Sequence, residues 1–412
     1  MKTFKRKQTL KQKILKNGLV FLCVFSIFLC QFFPPITVVS ADSETQENKI
    51  EEELEANIVS QLEKLNFADI EKVLAGLKPS ETEIFGASTF RAKVESIING
   101  TFASGQSSIF TAIVNLVFDD ILKFIPLLAS IIIISIICGF VSNIRSENNG
   151  KSVGDIIHFV CYGVIIVLVM TGVVGLIKTT SSSIQNIKGQ METVFPILLT
   201  LMTAIGGSAS VAVYQPAVAF LSSFIMQIFT SILMPIFIFI LVFTIVSNLT
   251  STVKLDKFTK FFNSAFKWIT GIVFTVFMAF LAIQGITASS YDGVSIRTAK
   301  YAIRSYVPLL GGYLSEGFDV IMSSSMLIKN GVGASALVLM FASVISPIIQ
   351  IVVFSLVLKL AAAILEPLTD SRISDFIYSV GKNLTLLAVM IIGVAFMYLI
   401  TTGLIMCTAN YI

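Results

Sequence analysis

Polar residues in this chain gather at the two ends and in short gaps. Between them lie apolar runs, several exceeding the roughly 18 residues that mark a transmembrane helix. The runs predict eight spans: 121–141, 156–178, 194–213, 217–247, 269–290, 306–328, 332–362 and 384–408. In hydrocarbon the backbone must satisfy its own hydrogen bonds, so runs of this length are helices. The expected fold is all-α, a polytopic helical membrane protein. The runs 217–247 and 332–362 are longer than a bilayer needs, and each holds a proline, Pro235 or Pro347. Kinked or broken helices are expected there. The run 194–213 is interrupted at Gly206-Gly207, and 306–328 contains Gly311, Gly312, Glu316 and Asp319. These two are read either as full spans or as re-entrant or surface helices.

The N-terminal pattern is different. Residues 1–41 carry a basic stretch from Lys2 to Lys16, an apolar core from Leu19 to Leu29, and small residues Val39-Ser40-Ala41 before Asp42. They read as a secretory signal; the alternative is an uncleaved anchor from Leu19 to Val39. Either way the next segment, 42–105, lies outside the cytoplasm. It opens with Glu51, Glu52, Glu53 and Glu55, and Ile50, Leu54, Ile58, Leu62 and Leu65 fall at helical spacing. An amphipathic helix is expected, then a second short one over Phe67, Ile70, Val73 and Leu74, ending near Gly76 and Pro79. Ser80-Glu-Thr-Glu83 has the form of a capping box. This acidic helical head is either a cap on the membrane domain or a docking surface for a partner.

The apolar part repeats itself. Pro196 and Pro235 are 39 residues apart, and so are Pro308 and Pro347. Phe229-Thr-Ser-Ile-Leu-Met-Pro235-Ile resembles Phe341-Ala-Ser-Val-Ile-Ser-Pro347-Ile. Downstream, Phe261-Phe-Asn-Ser264-Ala-Phe-Lys267 echoes Phe376-Ile-Tyr-Ser379-Val-Gly-Lys382. The organisation expected is first membrane helices over 106–190, repeat 1 over 191–293 and repeat 2 over 294–412. Internal repeats are how many transporters build a pathway between related halves. Three spans per repeat would make the repeats inverted and two would make them parallel. The positive-inside rule does not separate these cleanly: an inverted arrangement puts either Lys254, Lys257, Lys260 and Lys267 or the matching Lys359, Arg372 and Lys382 outside, and a parallel one exports Arg297, Lys300 and Arg304. The inverted arrangement is slightly favoured.

Composition narrows the chemistry. The chain has 412 residues, 55% hydrophobic and 13% charged, and its net charge of +4 mixes a basic leader with an acidic head. Nothing points to nucleic acid. Five cysteines give no disulfide framework, and Cys138, Cys161 and Cys407 read as small hydrophobes in apolar runs. His158 is the only histidine, which removes most metal sites and nucleophile systems. No P-loop, HExxH, GxSxG or dinucleotide fingerprint occurs. No enzyme, metal or cofactor is expected. Glu316 and Asp319, three apart and so on one helix face, are the transport-path candidates; the alternative is that they are interfacial and wet. Pro196, Pro235, Pro308, Pro347, Gly206, Gly207, Gly311 and Gly312 are helix-break or gate candidates. Gly172, Gly175, Gly331 and Gly333 allow close helix approach. Glu366, Asp370, Arg372 and Asp375 form a charged connector that is either solvated or a partner contact.

The chain resembles the stage III sporulation protein AE family of endospore-forming bacteria. The resemblance is carried by Leu358-Lys-Leu-Ala-Ala-Ala-Ile-Leu-Glu-Pro-Leu-Thr-Asp370, Arg372-Ile-Ser-Asp375, Gly381-Lys-Asn383 and the final helix, with Phe67-Ala-Asp-Ile-Glu-Lys-Val-Leu74 and the span after Phe118. It implies a place in the mother-cell membrane around the forespore, with the head in the intermembrane space. It also implies partners: the sister proteins AA to AH, which include a secretion-type ATPase and ring-forming components, and a forespore channel protein. Together these form a channel, or feeding tube, that sustains late forespore gene expression. A conduit or permease-like core is expected; the alternatives are a non-conducting scaffold or a stand-alone secondary transporter.

Overall fold

Helices account for most of the described residues, and no strand occurs among them. A computed structural model describes residues 44–101, 106–146, 151–249, 255–306, 311–369 and 371–408. The predicted signal, Pro308 and Asp370 lie outside them, as does the side chain of Glu316. Glu53–Ile412 forms one compact unit; of the other, Met1–Glu52, only the first turns of the opening helix are described.

The head is four helices: α1 (Glu44–Lys64), α2 (Ala68–Ala75), α3 (Pro79–Phe85) and α4 (Phe90–Ile98). Ile58, Leu62, Phe67, Ile70 and Leu74 are buried, as their periodicity predicts. The capping box is shifted. Pro79 is pre-set for a first helical turn, so α3 starts there, and the Lys78 backbone N–H donates to the Glu81 carboxylate at 3.0 Å.

The membrane domain consists of α5 (Gln106–Ser146), α6 (Lys151–Ala204), α7 (Ser208–Leu249), α8 (Asp256–Tyr306), α9 (Gly311–Leu365), α10 (Ser371–Asn383) and α11 (Thr385–Cys407). Among the described residues six helical stretches are long and apolar enough to cross a membrane, α10 and α11 counting as one. Eight were expected from hydropathy. The pairs 156–178 with 194–213, and 306–328 with 332–362, are each parts of one helix. The polar gap after Lys178 keeps the helical period: Ile184, Ile187, Met191, Val194, Phe195 and Leu198 are all buried. In α9 the gap at Lys329 is bridged likewise, with Val332, Ala336 and Leu339 buried.

Helix α6 ends where the sequence suggested a break. Gly206 has φ +89°, its N–H donates to Thr203 and that of Gly207 to Met202, a Schellman ending that glycine accommodates without strain. Pro235 does not break α7. It removes one N–H from the ladder, and the turns just before it, Phe229–Leu233, widen to π-helix. Pro196 and Pro347 sit inside continuous helices.

Three hairpins, α5–α6, α7–α8 and α9–α10, close at the same end of the bundle. At that end Tyr162 donates to the Ile245 carbonyl at 2.8 Å and its ring meets Phe376 edge-on. The turn after α9 also lies there, against Gly139. Cys138 and Cys161 are joined as a disulfide across the first hairpin, which corrects the expectation of free thiols. Exposed apolar side chains follow the helical period here, as in Val352, Leu356, Leu360 and Ile364. At the opposite end the head lies along α9. Gln61 exchanges hydrogen bonds with Ser324 and Ser325 at 2.9 and 2.8 Å, and Lys78 donates to Ser346 at 3.3 Å. Those contacts span 22 residues, about 33 Å of helix.

Candidate functional site

A polar cleft of about 560 Å³ opens at the hairpin end of the membrane domain. Three helices build it with the same spacing. From α7 come Thr244, Ser247 and Asn248, at i, i+3 and i+4. From α10 come Ser379, Lys382 and Asn383, again at i, i+3 and i+4. The longest stripe is on α8, where Asp256, Thr259, Lys260, Asn263, Ser264 and Lys267 recur with the 3.6-residue period over three turns. Each helix presents its polar face to the cleft. The α7–α8 hairpin packs outside it through Phe243, whose ring stacks on Phe258 and Phe262.

Hydrogen bonds fix the walls. Asn383 donates to Thr244 Oγ1 at 3.1 Å, tying α10 to α7. Ser247 donates to the Asp256 carboxylate at 2.6 Å, across the α7–α8 turn. Asn248 and Asn263 donate back to the carbonyls of Thr244 and Thr259. The Thr259 hydroxyl is buried and makes no hydrogen bond among the described residues. Lys260, Lys267 and Lys382 are exposed in the cleft, and none is in an ion pair among the described residues. Ser355 donates to the Gly381 carbonyl at 2.6 Å, locking α10 onto α9.

The echoing segments of the sequence meet here. Ser264 and Lys267 of one, and Ser379 and Lys382 of the other, line the same cleft. Helices α7 and α9 both run toward it, and α8 and α10 both run away. The two hairpins therefore have the same direction, against the inverted arrangement favoured from the sequence. In the sequence these lysines bear on topology alone. The signal that marks them as a site is a polar stripe of helical period in the gaps that flank the apolar runs.

The other candidates lie elsewhere. Asp319 is half-buried on the head side of α9, 36 residues before Ser355, or roughly 54 Å along the helix. Glu366 and Asp375 are exposed and Arg372 half-buried around the α9–α10 turn, at the cleft's end but not among its lining residues. Gly206 and Gly207 form the α6–α7 turn, and Gly311 and Gly312 begin α9. Lys329, which the sequence reading passed over, is fully buried and donates to the Thr408 carbonyl at 2.5 Å.

Residues 88–409, which contain the whole cleft, match the family described as stage III sporulation protein AE. The chain belongs to that family. Its match starts inside the head and leaves 42–87 outside. A relative described as stage III sporulation protein AE, from Bacillus subtilis (strain 168), is 24% identical over 320 residues, covering 78% of this chain and 80% of the relative. No solved structure matches the chain. It is a sporulation protein and a multi-pass membrane protein.

Proposed function

We propose that this chain is a permease-like membrane core of the assembly that joins mother cell and forespore. The observation that carries this is the polar cleft, a concave space assembled from three helices at a convergence of hairpins. The resemblance supplies the context: a channel complex with a separate secretion-type ATPase and ring-forming sisters. In this reading the chain performs no catalysis and leaves hydrolysis to that ATPase. Lys260, Lys267, Arg372 and Lys382 lie at the cleft's end and the acidic head at the other. In this reading the cleft faces the mother-cell cytoplasm and the head the intermembrane space, the placement the resemblance implies.

The experiment fills the cleft without changing its charge. A sporulating strain carries Ser264→Phe with Ser379→Phe. Late forespore reporter activity is measured, and assembly is followed by co-purification of the sister proteins. Lost activity with an intact complex is the expected result. Full activity in the filled variant overturns the permease-like core and leaves the scaffold reading, in which the exposed Glu366 and Asp375 are contacts.

A further inference from the structure

We infer that the cleft is a binding site for a phosphate-bearing anion of at least two negative charges. The inference rests on the permease-like reading and names the ligand class of that same cleft. Its charge is unbalanced: three lysines, Lys260, Lys267 and Lys382, face one carboxylate, Asp256, which is already engaged by Ser247. Three like charges held round one concavity at a membrane end repel each other, and an anionic occupant offsets that repulsion. The remaining groups suit phosphate oxygens. Thr259 offers a buried hydroxyl without a partner among the described residues, and Ser264 and Ser379 present hydroxyls beside the two echoing lysines. Thr259 also lies in the first turn of α8, where the helix dipole favours negative charge. A volume of about 560 Å³ lies within the range of small-molecule sites, about 300–1,000 Å³, and exceeds what one inorganic ion fills. The echo brings a Ser-x-x-Lys from each hairpin into the lining, so an anion in the cleft meets a lysine and a hydroxyl from each. Lysine as a point charge with hydroxyl donors is a common phosphate-binding combination.

The test uses the full chain purified in dodecyl maltoside, with sodium pyrophosphate as probe, titrated calorimetrically at constant ionic strength. Saturable binding is expected, weakened at least tenfold in Lys267→Gln with Lys382→Gln. It is expected to be unchanged in Lys257→Gln, whose lysine is exposed on α8 outside the cleft. Ser264→Phe provides a second, charge-neutral variant that should weaken binding. Absent binding, or equal losses in the cleft and control variants, overturns the site. Repeating the titration in nanodiscs of phosphatidylcholine with and without phosphatidylglycerol separates two sources of the same chemistry. Weaker pyrophosphate binding with the anionic lipid identifies a headgroup as occupant, and unchanged binding a soluble phosphate compound; both support the site. If the double lysine variant loses binding yet sustains late forespore expression, the site stands and the permease-like reading falls.

Discussion

Gly172 packs against Phe354 in the α6–α9 contact, and adding one methyl group there tests the packing directly. A Cβ at this position would lie 2.5 Å from Phe354 Cζ and 2.9 Å from Cε2. Carbon atoms rest about 3.5–4.0 Å apart, so the ring must move by roughly 1 Å. It has little room, being fully buried with its centroid 4.7 Å from that of Phe124. Overpacking of this kind costs about 1–3 kcal/mol. Gly175, one turn away on the same helix, has nothing within 4 Å of an added Cβ. Gly175→Ala should be neutral or stabilising by up to about 1 kcal/mol, the helix-propensity gain. The assay is thermal inactivation of the detergent-purified protein, followed as loss of the monodisperse peak in size-exclusion chromatography. Gly172→Ala should fall below the parent and Gly175→Ala should not. Phe354→Leu should restore part of the loss in Gly172→Ala, because the two sites share one space and do not add. Equal stability of the two alanine variants would refute the α6–α9 packing described here.

Three further outcomes follow from other contacts. Gly331→Leu should loosen the head, since even a Cβ there would lie 2.9 Å from Ile98; limited proteolysis should release the head faster than in the parent, and unchanged cleavage rates would count against the docking. Asn383→Leu should destabilise by about 1–3 kcal/mol, because it removes the bond to Thr244 and leaves a polar wall partly unpaired, read by the same chromatographic assay. Cys138 and Cys161 should resist alkylation until reduced while Cys407, which is exposed, reacts at once; mass spectrometry of the alkylated peptides reads this, and simultaneous labelling of all three would rule out the disulfide.

Run length and composition were enough to determine class. An apolar stretch too long for a globular core has no alternative to helix in hydrocarbon, so the all-α membrane fold follows from the text alone. Local chemistry was also legible: the end of α6 at Gly206 and Gly207 and the buried stripe of the head helices. The number of crossing helices was not. Hydropathy averages over a window and cuts at Lys178 and Lys329, whereas a helix continues wherever one face stays buried, and that face exists only once a neighbour packs against it. The cleft was hidden for the same reason. Lys382 is far along the chain from Thr244, Asp256 and Lys267, and each looks like an ordinary polar residue beside an apolar run. Only the common direction of the α7–α8 and α9–α10 hairpins turns their polar stripes toward one another. Sequence determined which faces are polar; tertiary packing decided that these faces share one cavity.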